Sequence, residues 1–150
     1  MALPRDWKEF IELLNSRRVD YVVVGAIAVS YHAYPRNTGD IDILVRPTSE
    51  NAERLVAALA DFGFGPLGLR PADFVAPGQF IQLGVRPLRI DLLNEISGVG
   101  FDEVWQGRVL AQIEGVSVSL IGREALIRNK RASGRDKDRA DLRILEAGHE

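Results

Sequence analysis

The chain has 150 residues, 46% of them hydrophobic, with 19 basic and 21 acidic residues and a formal net charge of -2. This is enough material for one domain with its own core and too little for two. The balanced charge gives no bulk reason to expect binding to nucleic acid or an anionic membrane. The absence of cysteine excludes disulfides and thiolate chemistry. His32 and His149 are too few and too far apart for a zinc cluster, so oxygen ligands must hold any metal ion.

The amino-terminal segment does not have the composition of a signal peptide. No apolar run approaches the roughly 20 residues that cross a bilayer. We therefore expect a soluble cytoplasmic protein that makes no membrane contact.

The first part of the chain predicts a helix, a buried strand and a second, short helix. Asp6 and Glu9 have the spacing of a capping box ahead of apolar residues at helical spacing, which predicts a first helix to about residue 17. Residues 19–24 form an apolar, β-branched run that stops at Gly25, typical of a buried strand that feeds a tight turn. A short helix follows to about residue 34, where Pro35 ends it.

Residues 40–45, with the sequence Asp-Ile-Asp-Ile-Leu-Val, have the period of a strand with two different faces. Because side chains alternate on a strand, Asp40 and Asp42 point to the same face, with attachment points roughly 6 to 7 Å apart. Two carboxylates this close repel each other unless a cation lies between them, and Mg²⁺ prefers oxygen ligands. Asp91 lies in the apolar strand of residues 88–93, where an unpaired charge would be costly. The simplest arrangement places Asp91 beside Asp40 and Asp42.

The rest of the chain alternates helices, strands and turns. Thr48 or Ser49 can cap a helix that Gly63 ends. Residues 63–78 are rich in glycine and proline and predict a loop of the length that often binds ligands. The remaining predicted elements are strands over residues 80–83 and 88–93, a short helix near residues 102–105, a hairpin of residues 109–113 and 116–121, and helices over residues 122–133 and 136–147.

An isolated Asp-x-Asp pattern is a weak indication of a metal site, because each acid has an ordinary alternative. In that alternative, Asp40 belongs to a turn, Asp42 pairs with Arg36 or Arg46, and Asp91 pairs with Arg89 at a strand edge. The strand, Gly25 and short helix ahead of the two acids favour a metal and phosphate site instead. They bring a helix N-terminus, with its free backbone N–H groups, near the carboxylates.

These features resemble the nucleotidyltransferase superfamily that shares the polymerase-beta palm-like fold. In that family a glycine followed by glycine or serine precedes a helix, a spacer leads to Asp-x-Asp, and a third acid lies on a later strand. The matching residues here are Gly25-Ala26, Asp40-Ile41-Asp42 and Asp91. The chain looks closest to small bacterial members, including those of toxin–antitoxin modules, in which Arg-x-Thr-x-Asp-x-Asp recurs. The resemblance implies a single α+β domain over residues 1–150, with a mixed β-sheet flanked by helices and with C-terminal helices.

The same resemblance implies an enzyme that uses Mg²⁺ or Mn²⁺ to transfer a nucleotide from a nucleoside triphosphate to an acceptor hydroxyl of RNA, protein or a small molecule, releasing pyrophosphate. Asp40, Asp42 and Asp91 would be the metal ligands and catalytic residues. The residues expected to bind the nucleotide are Gly25, Ala26, Ser30, Arg36, Thr38, Lys130 and Lys137. Ala26 departs from the family pattern, and Ser30, one helical turn later, is a candidate to supply the missing hydroxyl.

Several of these residues also have ordinary structural interpretations. Lys137 and Asp141 have the i,i+4 spacing of a surface ion pair. The aromatic residues Phe74, Phe80 and Trp105 either stack a base or belong to the core.

Two other functions stay open at this point. One is a non-catalytic module that binds a nucleotide or a partner protein of a toxin–antitoxin pair. The other is a metal-dependent phosphohydrolase, which would use the same acids but does not explain the glycine and helix ahead of them. The acceptor could be held by the loop, by the C-terminal helices, by a second copy in a homo-oligomer or by a partner protein.

Overall fold

The computed structural model describes residues 1–147, in which a six-stranded mixed sheet carries helices on both faces. His149 lies outside the described residues. In chain order, the helices α1 to α6 of this segment are Arg5–Ser16, Gly25–His32, Ser49–Phe62, Phe101–Gln106, Arg123–Ser133 and Asp136–Ala147. The strands β1 to β6 are Tyr21–Val24, Asp40–Val45, Phe80–Leu83, Arg89–Leu93, Val109–Ile113 and Val116–Leu120. This arrangement confirms the expected α+β class and mixed sheet.

The strand order of the sheet is β3-β4-β2-β1-β6-β5. The central strand β2 runs parallel to β4 and antiparallel to β1, and β1 runs parallel to β6. The hairpins β3-β4 and β5-β6 are antiparallel and form the two ends of the sheet. Because β4 lies directly beside β2, acids that are far apart in the chain come onto neighbouring strands.

The alternation of side chains along the strands divides the core into two layers. On one face, Ile43 and Leu92 are buried against the apolar sides of α1 and α3. On the other face, Val24 and Leu44 are buried with residues of α2, α4, α5 and α6, including Leu126. Burying each such side chain contributes about 1.5 to 3 kcal/mol, so both layers stabilise the centre of the sheet.

Within residues 1–147, no helix combines the length and apolar character needed to cross a membrane.

The start of α1 differs from the predicted capping box. Pro4 is the N-cap residue, without a side-chain cap hydrogen bond, and Asp6 lies inside the first turn. Glu9 instead accepts a hydrogen bond from Nε of Arg5 at 2.9 Å, one turn earlier. The capping-box prediction is wrong because the proline, whose φ is fixed by its ring, already begins the helix.

Residues 63–78 form the predicted loop between α3 and β3, without an α-helix or a strand. They contain two short 3-10 helices, Gly65–Leu67 and Pro71–Phe74. Phe74 is buried in the core beside α3. The side chain of Asn94 donates hydrogen bonds to the carbonyls of Phe74 and Ala76 at 3.1 and 2.7 Å. The segment is therefore attached to the fold at Phe74 and Ala76.

Candidate active site

Asp40, Asp42 and Asp91 meet on one face of two neighbouring parallel strands. In the register of β2 and β4, Asp42 lies opposite Asp91 and Asp40 lies opposite Arg89. Each of the three carboxylates offers an oxygen atom, and these atoms lie within 4.8 Å of one another. The structure thus brings together the three acids that the strand pattern and the resemblance singled out.

Burial and like charge disfavour the ionised form of Asp42. Asp91 is only 2% exposed, and the side chain of Asp40 is 15% exposed. Burial, followed by the charges of Asp40 and Asp91, raises the pKa of Asp42 to about 7, and Lys137 opposes this shift. A cation among the three carboxylates would relieve the repulsion.

Asp42 lies directly against the backbone of Gly25, the first residue of α2. Gly25 has a φ of +68°, and a Cβ at this position would lie 2.2 Å from Oδ2 of Asp42. Glycine satisfies both the left-handed conformation and the close approach. Gly25 and Ala26 line a cavity beside the carboxylates. The first backbone N–H groups of an α-helix have no partner within the helix, so the start of α2 is suited to an anion.

Two arginines that were not predicted to be functional also reach the carboxylates. Arg89 donates hydrogen bonds to Oδ1 and Oδ2 of Asp91 at 2.9 and 3.0 Å, and to Oδ2 of Asp40 at 2.8 Å. Arg86 donates to the same oxygen of Asp40 at 3.0 Å. The Arg89–Asp91 contact of the alternative interpretation is therefore present, although β4 lies inside the sheet and not at its edge. The signal in the sequence is the i,i+2 spacing, which puts Arg89 and Asp91 on one face.

Three predicted nucleotide-binding residues, Ser30, Arg36 and Thr38, bond to other parts of the protein. Arg36 donates to both carboxylate oxygens of Asp141 at 2.6 and 3.2 Å. The hydroxyl of Ser30 donates to the carbonyl of Arg36 at 3.4 Å. The hydroxyl of Thr38 lies 3.1 Å from the carbonyl oxygen of Asp40 and 3.3 Å from its Oδ1. Among the described residues, none of these three lines the cavity. Their contact with a nucleotide stays a prediction.

Lys130 lines the cavity but is paired inside the protein. Its Nζ donates to Asp138 at 2.9 Å and lies 3.3 Å from an oxygen of Asp141. Asp138 also accepts hydrogen bonds from Arg135 and Ser133. Burial alone would raise the pKa of Asp138, but the hydrogen bonds from these three donors outweigh burial and lower the pKa below its ordinary value. This buried network attaches α6 to α5.

Lys137 is an exposed residue of the first turn of α6 that lines the cavity. The predicted i,i+4 pair with Asp141 is wrong, because Asp141 pairs with Arg36 and Lys130 instead. Lys137 is close enough to the acids to lower the pKa of Asp42. Its ammonium group is therefore placed to attract an anion that enters the cavity.

The cavity has a volume of about 740 Å³ and is lined by both acidic and basic side chains. Phe80, an exposed residue of the edge strand β3, is the aromatic candidate that lines it, whereas Phe74 is in the core. Trp105 packs against the guanidinium groups of Arg46 and Arg108. Within the described residues, the cavity lining includes nothing from residues 63–78. The expected binding loop therefore does not form part of this cavity.

The donor set suits a hard divalent cation. Asp40, Asp42 and Asp91 lie close enough together to share a metal ion, and within residues 1–147 they are the one such group of His, Cys, Asp or Glu side chains. All the ligand atoms that this group offers are carboxylate oxygens. Mg²⁺ binds oxygen ligands at about 2.1 Å and is commonly held by carboxylates together with phosphate groups. Asp40, Asp42 and Asp91 fit this requirement and would be the ligands.

Solved structures of nucleotidyltransferases have a similar fold. TM1012 of Thermotoga maritima, provisionally assigned as a nucleotidyltransferase, matches with a TM-score of 0.66 and 16% identity over 98% of this chain and 96% of its own. The antibiotic-resistance factor ANT(2'')-Ia matches with a TM-score of 0.61 and 15% identity over 97% of this chain and 83% of its own. The lincosamide antibiotic adenylyltransferase LnuA matches with a TM-score of 0.57 and 13% identity over 97% and 98%. These likenesses confirm the nucleotidyltransferase fold.

Comparison with curated proteins gives no match. The model of a family described as nucleotidyl transferase of unknown function (DUF2204) matches residues 4–149, almost the whole chain. The family match and the fold agree with the carboxylate triad and with the resemblance seen in the sequence. The chain belongs to this nucleotidyl transferase family and is an enzyme of that class.

Proposed function

We propose that this protein transfers a nucleotide from a nucleoside triphosphate to an acceptor hydroxyl, with Mg²⁺ or Mn²⁺ held by Asp40, Asp42 and Asp91. The observation that carries the proposal is the convergence of three carboxylates within 4.8 Å in a cavity that basic side chains also line. The acids alone would also suit a phosphohydrolase. The N-terminus of α2 and Lys137 beside them add the donors that a triphosphate requires.

In the proposed reaction, the acceptor oxygen attacks the α-phosphorus in line with the oxygen that bridges to the β-phosphate. The bond from the acceptor oxygen to phosphorus forms, the bond to the bridging oxygen breaks, and pyrophosphate leaves. Asp91 accepts the proton of the attacking hydroxyl, while Lys137 and the backbone N–H groups of Gly25 and Ala26 hold phosphate oxygens. The bound metal supplies neutralisation of the phosphate charge. Positioning and electrostatic stabilisation account for most of the rate in this type of reaction.

The acceptor that we propose is a small hydroxylated molecule. The cavity volume of about 740 Å³ falls within the roughly 300 to 1,000 Å³ typical of small-molecule sites. Two proteins of the same fold support this class of ligand: ANT(2'')-Ia in a complex with adenylyl-2''-tobramycin, and LnuA with lincomycin bound. Hydroxyl groups of RNA or of a protein are the alternative acceptors, and transfer of a labelled nucleotide separates the three.

A second candidate is a non-catalytic module that binds a nucleotide or a partner protein, as in a toxin–antitoxin pair. Its support is Ala26, which lines the cavity where the resemblance leads us to expect glycine or a serine hydroxyl. Ser30 does not replace that hydroxyl while it donates to the carbonyl of Arg36. The backbone N–H of Ala26 nevertheless suits a phosphate oxygen, so the transfer reaction does not depend on the hydroxyl.

The test begins with isothermal titration of each of the four ribonucleoside triphosphates with Mg²⁺. The wild type is compared with the double variant Asp40→Asn/Asp42→Asn. The control is Asp61→Asn, which removes a carboxylate that pairs with Arg17 at the surface. Magnesium-dependent binding by the wild type and the control, lost in the double variant, would support the site and identify the base.

Transfer itself is measured with the preferred triphosphate labelled at the α-phosphate. The label is followed into a panel of small hydroxyl compounds, into total RNA and into the protein chain. Label in the small-molecule fraction supports the proposal, and label in RNA or protein names a different acceptor. Binding without transfer to any acceptor would favour the non-catalytic module, and the absence of binding would overturn the nucleotide site.

A further inference from the structure

Arg89 occupies the place between two carboxylates where a divalent cation would bind. Its guanidinium donates to both oxygens of Asp91, at 2.9 and 3.0 Å, and to Oδ2 of Asp40 at 2.8 Å. Arg86 donates to the same oxygen of Asp40 at 3.0 Å. The register of β2 and β4 produces this arrangement, because Arg89 lies opposite Asp40 and two residues before Asp91 on the same face.

These hydrogen bonds occupy lone pairs on the carboxylates for which a metal ion would compete. Both oxygens of Asp91 and one oxygen of Asp40 face N–H donors, whereas Mg²⁺ requires direct contact with oxygen at about 2.1 Å. A guanidinium and a divalent cation bound to the same carboxylates also repel each other. Arg89 and a metal ion therefore compete for the same carboxylates, and departure of the Arg89 side chain favours a metal ion that all three acids share.

A triphosphate offers Arg89 another partner. Arg89 lines the cavity, and its side chain is 21% exposed. The planar fork of a guanidinium binds phosphate oxygens in the same bidentate way as it binds a carboxylate. The side chain can therefore exchange Asp91 for a phosphate group without losing its paired hydrogen bonds.

We propose that Arg89 is a positioning residue that closes the acidic triad to metal ions alone and opens it when a triphosphate binds. This proposal rests on the proposed function. It makes the binding of metal and nucleotide cooperative, because both favour the arrangement in which Arg89 has left the carboxylates, and such coupling is reciprocal.

Arg46 provides a matched comparison elsewhere in the fold. It also bridges two carboxylates, those of Asp20 and Asp102, each at 2.7 Å, and its side chain is 23% exposed. It is not among the residues that line the cavity. Arg46→Gln therefore removes a similar ion-pair bridge without touching the triad.

The experiment measures binding of Mn²⁺ alone to the wild type, Arg89→Gln and Arg46→Gln by isothermal titration. Because a competing charged donor is removed, we expect Arg89→Gln to bind Mn²⁺ about tenfold more tightly than the wild type, and Arg46→Gln to match the wild type. In EDTA, inorganic tripolyphosphate should bind Arg89→Gln about tenfold more weakly than the wild type. Arg89→Lys keeps the charge without the fork and covers the case in which the glutamine variant does not fold. Mn²⁺ should raise the Tm of Arg89→Lys more than that of the wild type.

Equal Mn²⁺ affinity in the wild type and Arg89→Gln would overturn the inference and leave the proposed transfer reaction standing. Equal tripolyphosphate affinity would overturn the exchange of partners. Failure of the proposed function has a different signature. In that case Mn²⁺ and a nucleoside triphosphate together would not bind the wild type, or would bind Asp40→Asn/Asp42→Asn equally well.

Discussion

The backbone of Gly25 approaches the carboxylate of Asp42 so closely that a Cβ on Gly25 would lie 2.2 Å from Oδ2 of Asp42. This contact joins the start of α2 to the middle of β2. It also explains why a glycine follows β1 and begins α2, since no larger residue leaves room for the carboxylate in this position.

We expect Gly25→Ala to destabilise the fold and to displace Asp42. The matched control is Gly134→Ala, because Gly134 has a similar φ of +64° and a methyl group added there would meet no atom within 4 Å. The left-handed conformation alone should cost each variant about 1 to 2 kcal/mol. The clash should add at least about 1 kcal/mol in Gly25→Ala. Urea denaturation measures both, and equal losses in the two variants would contradict the importance of the contact.

We expect Asp42→Ala to abolish nucleotide transfer and to leave the fold intact or more stable. Removal of one triad carboxylate should lower kcat roughly a thousandfold, while it also relieves repulsion from Asp40 and Asp91. The measurement is transfer of labelled nucleotide together with the Tm. Asp61→Ala, at the surface, serves as the control for a lost aspartate. Wild-type activity in Asp42→Ala would rule out the metal site.

The raised pKa of Asp42 predicts a pH dependence of stability in the metal-free protein. Because folding raises the pKa of this acid from 3.8 to about 7, the folded state favours its protonated form. The stability from that proton is fully present below pH 3.8 and is lost as the pH rises through about 7. In EDTA, the free energy of unfolding of the wild type should therefore fall relative to Asp42→Asn by roughly 2 to 4 kcal/mol between acid and neutral pH.

Parallel pH profiles of the wild type and Asp42→Asn, measured by chemical denaturation, would show that Asp42 titrates normally. Mg²⁺ should restore the free energy of unfolding of the wild type above pH 7, because a bound cation then neutralises the carboxylates in place of the proton.

We expect substitution of Lys130 to affect the stability of the fold more than nucleotide binding. Its side chain is buried and bridges Asp138 and Asp141. Lys130→Met would leave two buried carboxylates with fewer partners, which typically costs about 3 to 5 kcal/mol. Arg131→Met, the neighbouring residue, removes a surface pair with Glu146 and should cost less than about 1 kcal/mol. Similar urea midpoints for the two variants would show that the buried network contributes little.

We expect substitution of Lys137 to affect nucleotide binding more than the stability of the fold. Because it is exposed and lines the cavity, Lys137→Ala should leave the free energy of unfolding within about 0.5 kcal/mol of the wild type. It should raise the KM for the triphosphate about tenfold through the loss of a charged hydrogen bond. Arg139→Ala, an exposed residue of the same helix, is the control. An unchanged KM in Lys137→Ala would remove this residue from the nucleotide site.

Much of the fold could be predicted because its signals are local. The alternation of residues 40–45 placed Asp40 and Asp42 on one face, and the structure has that strand at Asp40–Val45. Thr48 caps α3 by accepting a hydrogen bond from the backbone of Asn51, as expected of a threonine at that position. The predicted capping box at Asp6 was wrong because Pro4 is the N-cap residue instead. Residues 63–78 form a loop as predicted, but the burial of Phe74 in the core was not predicted because it depends on α3, which no local pattern reveals.

The sequence by itself determined the order of helices and strands, the resemblance to nucleotidyltransferases and the identity of the three acids. These depend on properties of short segments: the spacing of hydrophobic residues, the positions of glycines and the cost of a buried charge. Only the tertiary structure decided which charges pair. Arg36 meets Asp141 from 105 positions away, and Arg89 reaches Asp40 from 49 positions away. Such pairs depend on β4 lying beside β2 and on α6 packing against α5 and α2, and these arrangements arise from the burial of the whole core.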